Sequence, residues 1–569
     1  MESWREKAEI KQKSILAKIP EQWLLPQALC VMPTTPDSPY LNVTTDAFMT
    51  EAGLSPRELA ITSKTSIPEI LASYESQEVS AEEVVTAFCH RAAISHQTTE
   101  CLAEIRFADA IAEAKAQDEY LRVHKKLHGP LHGIPVSLKD QFRVKGLESA
   151  ISYIGWLGRF ETAETESLIT KQIKELGGII IAKAKSPSNL HRPVMNPHNR
   201  LLSPGGSSGG EGALLASRGS VLGMGTDMGG SIRVPSAYNH LFGLKPSSGR
   251  FSYRDLASSL GGKPVVPPVP GPMSASLDNV IHLTQSVIGG IDAWRRDPGL
   301  VPLPWRAPLL DEVRAEASTP GKGLCFAAFP GTGDDGIMRL HPPVARGVAT
   351  AVRAARQAGH RVIDWTPPSH MDAAMIYGGL CFPTTYDIDD ALKSGGEPML
   401  GAVENMLKPT EKYRPKDMAE YYELFKKMKK YQEDYADYWE STRALTGTGR
   451  PVDGIIAPVA ATAAVKHNSA YAFSYAIVYN VLDYSILTVP VTFADKNIDV
   501  ADPQDAPHSP IDEMSWVPYD ADIYHGAPVG VQIVGRRFEE EKVLALGEAL
   551  SSALKAMTYE KYDCRGWRL

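Results

Sequence analysis

The amino-acid sequence predicts an α/β fold, with one large domain around a largely covered sheet and an N-terminal helical region. Apolar runs of strand length alternate with helical segments along most of the chain, which is the pattern of α/β proteins. The 569 residues are 43% hydrophobic and 22% charged, as in soluble globular proteins. Length alone suggests about four domains. The informative motifs lie in one continuous stretch, however, and this favours a single domain.

The N-terminal region is predicted to begin with a helix. Apolar residues in 1–25 recur at rough helical spacing among charges of both signs. This mixed polar face favours docking onto the protein's own body over a helix lying on a membrane surface. The proline-rich residues 26–39 indicate an extended connector. We therefore divide the chain into a helical lead-in and connector, 1–64, and a main domain, 65–569.

The main domain begins with helices and continues as alternating strands and helices. Helical patterns cover residues 66–96, 100–126, 164–176, 213–217, 343–358, 415–442 and 540–556. Strand-length apolar runs cover residues 134–139, 178–183, 324–329, 361–365, 453–458, 486–493 and 529–535. Two stretches rich in proline, glycine or acidic residues, 261–272 and 494–520, are predicted to be surface loops.

Charge and cysteine usage exclude several classes of protein. A net charge of −8 provides no basic surface for nucleic acid. The six cysteines show no CxxC spacing, which indicates buried thiols in a reducing compartment rather than a disulfide framework or a zinc site. No apolar run reaches the ~18 residues of a membrane span, and the N-terminus lacks a signal-peptide core. We expect a cytoplasmic protein without a transmembrane segment.

Two glycine-serine clusters, Ser203–Gly212 and Gly225–Arg233, are the most informative motifs. A flexible linker is the simplest alternative for the first cluster, but it would cut the α/β pattern in two. A phosphate loop is a second alternative. Gly223-Met224-Gly225 begins like G-x-G-x-x-G, yet Met228 stands where the third glycine belongs. Tight turns that gather backbone N–H groups and hydroxyls are instead typical of acyl-transfer enzymes.

Ser231 and Lys139 are the candidate nucleophile and base. Small residues precede Ser231, so the backbone can turn sharply and direct N–H groups toward a developing oxyanion. No histidine lies in a G-x-S-x-G or HExxH context. Lys139 ends an apolar strand, and burial can lower the pKa of a lysine by the two to three units or so that a base needs. A lysine whose ammonium reaches water remains the alternative from this segment alone.

Three blocks resemble the signature of the amidase signature family: Gly129–Asp140, Ser203–Gly212 and Gly225–Arg233. Supporting stretches at 242–247, 271–278 and 525–535 extend the resemblance over about residues 65–560. The chain is most similar to fungal general amidases and acetamidases. The resemblance implies a single large domain whose central mixed β-sheet is covered by helices on both faces.

The resemblance also implies roles for individual residues. Ser231 would be the nucleophile, Lys139 the base, and Ser207 a bridging serine joined to Gly206 by a cis peptide bond. The backbone amides of Met228, Gly229, Gly230 and Ser231 would bind the oxyanion, with Ser207 also in the substrate site. Asp227 and Arg233 would support this loop. The family needs no metal and no organic cofactor.

The expected function is hydrolysis of a small or medium carboxamide to a carboxylic acid and ammonia or an amine, through an acyl-enzyme on a Ser-Ser-Lys triad. Three alternatives stay open. They are an amide or ester hydrolase specific to one pathway of secondary metabolism, a glutaminase-type subunit, and a catalytically impaired amidase-fold binding protein. A homodimer is also left open, because dimers are common in the family.

One departure bears on the substrate pocket. The segment 185–197 is shorter than the family usually carries, and the missing piece commonly helps to line the acyl pocket. A reshaped pocket, impaired activity and an error in the gene sequence are the three alternatives that this departure leaves open. The candidate walls of the pocket are 186–195, 374–384 and 471–485. Aromatic residues there would pack either an apolar acyl group or the core, namely Tyr377, Phe382, Tyr471, Phe473 and Tyr475.

Overall fold

Strands form the centre of the computed structural model, which describes residues 3–187, 189–262, 265–290, 292–319, 323–331, 333–467, 469, 474–501, 512–513 and 519–557. The strands are β1 Leu102–Ile105, β2 Pro135–Lys139, β3 Ile179–Ala184, β4 Leu202–Ser203, β5 Leu222–Asp227, β6 Phe242–Lys245, β7 Val269–Ser274, β8 Cys325–Ala328, β9 Arg361–Asp364, β10 Gly454–Pro458, β11 Val465–Lys466, β12 Ile486–Phe493 and β13 Pro528–Val534.

Helices occupy the N-terminal region and most connections between the strands. They are α1 Trp4–Leu16, α2 Gln27–Cys30, α3 Asp46–Glu51, α4 Pro56–Ser63, α5 Ile67–Glu75, α6 Ala81–Thr99, α7 Phe107–His124, α8 Leu168–Glu175, α9 Gly209–Ala216, α10 Arg233–Tyr238, α11 Leu277–Gly290, α12 Ala307–Ser318, α13 Pro342–Gln357, α14 His370–Cys381, α15 Tyr386–Gly395, α16 Gly401–Leu407, α17 Met418–Ser441, α18 Arg443–Thr446, α19 Ser474–Val481, α20 Ala521–Tyr524 and α21 Glu540–Ala556.

Eleven of the described strands form one mixed sheet. Their order across the sheet is β1-β3-β2-β5-β7-β6-β12-β13-β10-β8-β9. β2 is parallel to both of its neighbours, β3 and β5, whereas β7 lies antiparallel between β5 and β6. Helices pack around this sheet, for example α9 against β2, β3 and β5, and α13 against β10, β12 and β13. The predicted α/β fold with a mixed central sheet is confirmed.

The N-terminal helix docks onto the body of the protein. Ser3 caps α1 through a capping box with Glu6, and the helix buries Ala8 and Ile15. Lys11 binds Glu148 at 2.6 Å and also pairs with Glu104, a residue of the edge strand β1. The expectation that this segment packs on the protein itself is therefore correct.

Several elements differ from the sequence-based expectation. The helical pattern over 66–96 is broken near residue 77, and β1 lies inside the stretch 100–126 that was expected to be helical. β7 occupies the end of 261–272, which was predicted to be a surface loop, and all six of its residues are buried. The prediction failed because glycine and proline, usual markers of loops, lie here inside a sheet. Most of the predicted loop 494–520 falls outside the described residues.

Candidate active site

Lys139 and Thr226 meet where the parallel strands β2 and β5 end. Lys139 is the last residue of β2, and its Nζ lies 2.8 Å from the Thr226 Oγ1. Carboxyl ends of neighbouring parallel strands form a common edge, which is a usual place for a ligand site. The turn that leads into α9 brings Ser207 to the same place, with its Oγ 2.6 Å from the Lys139 Nζ. Two residues predicted from separate blocks are thus in direct contact.

Lys139 is buried, with 2% of its surface exposed. This burial lowers the pKa of its ammonium to about 7, although the carboxylates of Asp227, Glu211 and Asp140 work in the opposite direction. A large fraction of the side chain is therefore neutral near pH 7 and can accept a proton. The alternative of a strand-end lysine in contact with water is excluded by this geometry.

Ser207 and Ser231 approach each other through a close contact between two turns. The Ser207 N–H donates to the Ser231 Oγ at 3.5 Å, and both residues are partly exposed. Gly206 makes the approach feasible. Its φ is +56°, and a Cβ there would lie 2.9 Å from the Cδ of Pro235. The three residues expected to form the triad are consequently brought together.

The peptide bond between Gly206 and Ser207 is trans. No cis peptide bond occurs in the part of the chain that the structure describes. The cis bond implied by the family resemblance is therefore wrong for this structure. The positive φ values of Gly205 and Gly206, +83° and +56°, instead turn the chain toward Ser231.

A carboxylate holds the turn that contains Met228, Gly229, Gly230 and Ser231. The Asp227 Oδ1 accepts the Gly230 N–H at 2.9 Å, and its Oδ2 accepts the Ile232 N–H at 3.2 Å. Gly230 has a φ of +117°, which only glycine adopts readily. Because the Gly230 N–H already binds Asp227, this residue supports the turn.

Arg233 ties this turn to the rest of the domain. Its guanidinium binds both Asp227 oxygens at 3.0 Å, and both side chains are fully buried. Burial is the largest single influence and works to raise the pKa of Asp227, but the Arg233 charge, the hydrogen bonds from Arg233 and Asn480 and the Lys245 charge together hold that pKa well below its usual range. The expectation that these residues support the loop agrees with the fully buried ion pair.

Helix α19 completes the support, and sequence reasoning missed its contribution. The Asn480 amide donates to the Asp227 Oδ1 at 2.9 Å and accepts from the Arg233 guanidinium at 2.6 Å. Arg233 also donates to the Ala476 carbonyl at 2.9 Å and to Gln532 on β13 at 3.1 Å. Single polar residues about 250 positions from their partners leave no local pattern. Only the assembled sheet brings them together.

A second missed group orients Lys139. The Thr226 Oγ1 donates to the Gln141 Oε1 at 2.6 Å, so its lone pairs are directed toward the Lys139 Nζ. Gln141 is in turn fixed by its amide, which donates to the Ala257 carbonyl at 3.2 Å. This chain of hydrogen bonds holds the Lys139 amine toward Ser207.

Glu211 is a buried carboxyl group behind the site. Its Oε2 accepts the Ser137 hydroxyl at 2.6 Å, while its Oε1 has no hydrogen-bond partner among the described residues. Burial raises the pKa of Glu211 to about 8. Ser137 lies two residues before Lys139 on β2, so this carboxyl group is held close to the amine without touching it.

The short segment 185–197 contacts the site directly. The Ser186 hydroxyl donates to the Ser207 carbonyl at 2.8 Å, and the Lys185 carbonyl accepts the Gly210 N–H at 3.2 Å. Ser208, the neighbour of Ser207, points away and accepts the Thr226 N–H at 3.4 Å. The segment, although short, thus supports the turn that carries Ser207 into α9.

The candidate pocket walls separate into two groups. Tyr377 reaches the turn that contains Met228, Gly229, Gly230 and Ser231, because a Cβ built on Gly229 would lie 2.5 Å from its Oη. Phe382 packs against Tyr377 edge to face, and Tyr475 donates its hydroxyl to the Met338 carbonyl at 2.5 Å, within the core. Tyr471 and Phe473 lie outside the described residues. Of the three aromatic residues that the structure describes here, Tyr377 is the one beside Gly229.

Among the described residues there is no group of three or more His, Cys, Asp or Glu side chains that could hold a metal ion. The arrangement offers two serines in contact, a buried lysine of lowered pKa, and a turn of small residues held by a buried ion pair. In the same part of the chain, no helix has the length and apolar character needed to cross a membrane.

The family to which these features belong is shown by sequence comparison. The Amidase family profile matches residues 83–544. The chain is 38% identical to an acetamidase of Aspergillus oryzae over 97% of its own length and 99% of that protein. It is 37% identical to an acetamidase of Emericella nidulans, over 97% and 98% of the two chains. The chain thus belongs to the amidase family of amide-hydrolysing enzymes.

A solved structure agrees with this assignment. A fatty acid amide hydrolase superposes with a TM-score of 0.85 and 29% identity, covering 96% of this chain and 94% of that one. A 6-aminohexanoate cyclic dimer hydrolase, at 19% identity and a TM-score of 0.66, shares the fold. The resemblance to the amidase signature family and to fungal acetamidases is confirmed.

Proposed function

We propose that this protein is a serine amidase that hydrolyses a small carboxamide to a carboxylic acid and ammonia or an amine. The observation that carries the proposal is the contact between a buried lysine of lowered pKa and a serine, 2.6 Å apart, beside a second serine at the braced turn. The acetamidase relatives, which match nearly the whole chain, support a small amide as the substrate.

In the first proposed step, the Ser231 Oγ attacks the amide carbon and its proton passes to the Ser207 Oγ. Ser207 gives its own proton to the neutral Nζ of Lys139. The short Lys139–Ser207 contact, and the position of the Ser207 backbone beside Ser231, support this direction of transfer. Thr226 keeps the amine oriented toward Ser207 throughout.

The oxygen of the tetrahedral intermediate is proposed to bind the amides of the turn, from Met228, Gly229 and Ser231. Asp227 and Arg233 fix this turn before substrate arrives, so little reorganisation accompanies the reaction. Loss of one such donor typically costs about 100- to 1000-fold in rate. Gly230 contributes by holding the turn through its bond to Asp227.

In the second step, the proton held by Lys139 returns through Ser207 to the leaving nitrogen as its bond to carbon breaks. An amine leaves poorly unless it is protonated, so this return is what permits cleavage of an amide rather than only of an ester. Water then attacks the acyl group on Ser231, with the same relay accepting its proton, and releases the carboxylic acid. No step requires a group beyond these side chains.

The test is release of ammonia from aliphatic and aromatic primary amides by the wild-type and Ser231→Ala proteins. We expect turnover of at least one small amide and a fall of about 1000-fold or more in the variant. Ser208→Ala is the matched control, since Ser208 faces the Thr226 backbone and not Ser231. Equal turnover by the Ser231→Ala protein would contradict the proposal. Absence of turnover on every amide would favour the impaired binding protein.

A further inference from the structure

Glu211 is a fully buried carboxyl group on the first turn of α9, four residues after Ser207. Its Oε2 accepts the Ser137 hydroxyl at 2.6 Å, and its Oε1 has no hydrogen-bond partner among the described residues. A Cβ built on Gly223 of β5 would collide with the Oε2, so the missing side chain leaves room for the carboxyl group. One hydroxyl donor gives little support to a buried negative charge, and burial therefore favours the protonated carboxyl group.

Glu211 lies on the same side of the sheet as the Lys139 amine. Successive side chains of a strand point to opposite faces, so Ser137 and Lys139 share one face of β2. Burial acts most strongly on both ionisable groups and favours their neutral forms. Against it, the Glu211 carboxylate works to raise the pKa of Lys139, and the Lys139 ammonium works to lower the pKa of Glu211. The protonation of each group therefore depends on the other.

Two other carboxylates near the lysine amine have cations of their own. The Asp227 oxygens bind the Arg233 guanidinium at 3.0 Å, and the Asp140 Oδ1 lies 2.9 Å from the Lys183 Nζ. An adjacent cation offsets much of the charge that each carboxylate presents to the amine. Glu211 has a hydroxyl in place of a cation, so ionisation of this group changes the charge around the amine.

Further charged or titratable groups on the elements packed against α9 have partners or keep one charge state. They are Arg91 and His96 on α6, Glu100 at its end, Cys101 before β1, and Lys185 after β3. Arg91 donates to a backbone carbonyl at 2.6 Å, and Lys185 pairs with Glu100 at 2.9 Å. Burial lowers the pKa of His96 to about 3 and raises that of the Cys101 thiol to about 12, so neither group changes its charge between pH 5 and 9.

We infer that Glu211 and Lys139 share one proton near neutral pH, and that Glu211 thereby sets the pH at which Lys139 becomes a base. Two forms of the pair hold the same number of protons. One is a carboxyl group beside a neutral amine, and the other is a carboxylate beside an ammonium. Only the first form can accept the proton of Ser207. The inference rests on the proposed function and adds a positioning residue, because Glu211 acts through Lys139 and not on the substrate.

A pair of this kind loses its two protons in steps that belong to the pair and not to either group. Burial raises the pKa of Glu211 to about 8 and lowers that of Lys139 to about 7, so the two steps fall close together. The acid limb of kcat/KM should therefore extend over a wider pH range than the titration of one group. Without the carboxyl group, the amine should lose its proton in one step and at lower pH.

The inference is tested by the pH dependence of kcat/KM for acetamide with the wild-type and Glu211→Gln proteins. The amide side chain carries no charge, so the midpoint should fall by about one pH unit or more. The rate at pH 5, relative to the plateau, should then rise about tenfold. Ser137→Ala should shift the midpoint in the same direction, because it removes the hydroxyl that stabilises the carboxylate. Ser208→Ala removes a hydroxyl at the N-cap of α9 and should leave the midpoint unchanged.

A second measurement does not depend on turnover. The infrared C=O stretch of protonated Glu211 is isolated as the difference between wild-type and Glu211→Gln spectra, and it should disappear as the pH rises through the neutral range. In Lys139→Met no ammonium favours the carboxylate, so the band should persist to a pH about one unit higher.

An unchanged kcat/KM midpoint in both Glu211→Gln and Ser137→Ala would overturn the inference. A carboxyl band with the same midpoint in the wild-type and Lys139→Met proteins would also overturn it. The proposed function is judged separately by Ser231→Ala. An enzyme that turns over no amide but shows the expected infrared shift would support the shared proton and contradict the proposed function.

Discussion

At the scale of single residues, the site depends on removing one lysine from water. Lys139 lies at the end of a buried strand, and its amine has only hydroxyl groups as hydrogen-bonding partners among its described contacts, those of Ser207 and Thr226. Hydroxyls stabilise an ammonium less than a carboxylate would, so desolvation dominates and the pKa falls to about 7. The same residue in water would be almost fully protonated.

The pH dependence of kcat/KM should report this lysine. The neutral amine is the active form, so activity should be full above the Lys139 pKa and be lost as the pH falls through about 7. At pH 5 the expected rate is about one hundredth of the plateau. Initial rates of ammonia release between pH 5 and 9, on a stable enzyme, provide the measurement. A midpoint near 10 would indicate an ordinary lysine and contradict the account.

The sequence alone indicates the residues of the proposed triad, but it does not indicate the groups that support them. Lys139, Ser207 and Ser231 lie in dense local motifs whose glycines and serines are individually informative. Gln141 and Asn480 are single amide residues in ordinary surroundings. Their role depends on hydrogen bonds of 2.6 to 2.9 Å to residues of β5. No spacing along the chain indicates that these residues meet.

At the scale of elements, helix α19 supports the turn that contains Met228, Gly229, Gly230 and Ser231. Its Asn480 amide bridges the buried pair of Asp227 and Arg233, and its Ala476 carbonyl accepts from the same guanidinium. A fully buried ion pair is stable only when its remaining hydrogen-bonding capacity is satisfied. The helix therefore links the geometry of the turn to the packing of the second half of the domain.

Asn480→Ala should reduce activity through the turn without touching the triad. The variant leaves Asp227 and Arg233 short of one partner each, which typically costs about 1–3 kcal/mol. Because the turn becomes less well fixed, kcat should fall by about tenfold or more while the pH midpoint stays near 7. Steady-state kinetics across pH and a thermal melt test this together. A shifted midpoint with an unchanged kcat plateau would argue against a positioning role.

Prediction of elements succeeded where hydrophobic pattern and composition agree. β2 and β3 are apolar runs of strand length, and both were expected close to their observed bounds. β5 and β7 carry glycine or proline at several positions, so their sequences indicate turns although both are buried. Burial of β5 and β7 inside the sheet overrides the local preference, and a single sequence does not show this.

At the scale of the whole molecule, the N-terminal helix is joined to the edge of the sheet. Lys11 lies between Glu104 on β1 and Glu148 in the loop after β2, and Lys18 also binds Glu104, at 2.7 Å. The Gln12 side chain donates to the Leu190 carbonyl in the short segment that supports Ser207. Helix α1 therefore contacts the segment 185–197, and this segment in turn contacts the turn that carries Ser207.

Lys11→Met should destabilise the protein, whereas Lys13→Met should not. Lys11 is largely buried between two carboxylates, so its removal takes the cation from Glu148 and leaves Glu104 with Lys18, at a cost on the order of 3 kcal/mol. Lys13, on the same helix, pairs with Glu9 on the exposed surface, where water screens the two charges and the pair contributes little to stability. Thermal melts of the two variants provide a matched comparison. Equal melting temperatures would show that α1 is not held in this way.

The proposed mechanism depends above all on an acyl group carried by Ser231. Mass spectrometry of the trapped protein tests this most directly. The enzyme would be quenched in acid during turnover of a p-nitrophenyl ester of a short carboxylic acid, then digested and mapped. The account predicts a single acyl group on the peptide that contains Ser231, absent from the Ser231→Ala protein. An acyl group on another residue, or rapid turnover with no adduct under any quench, would contradict it.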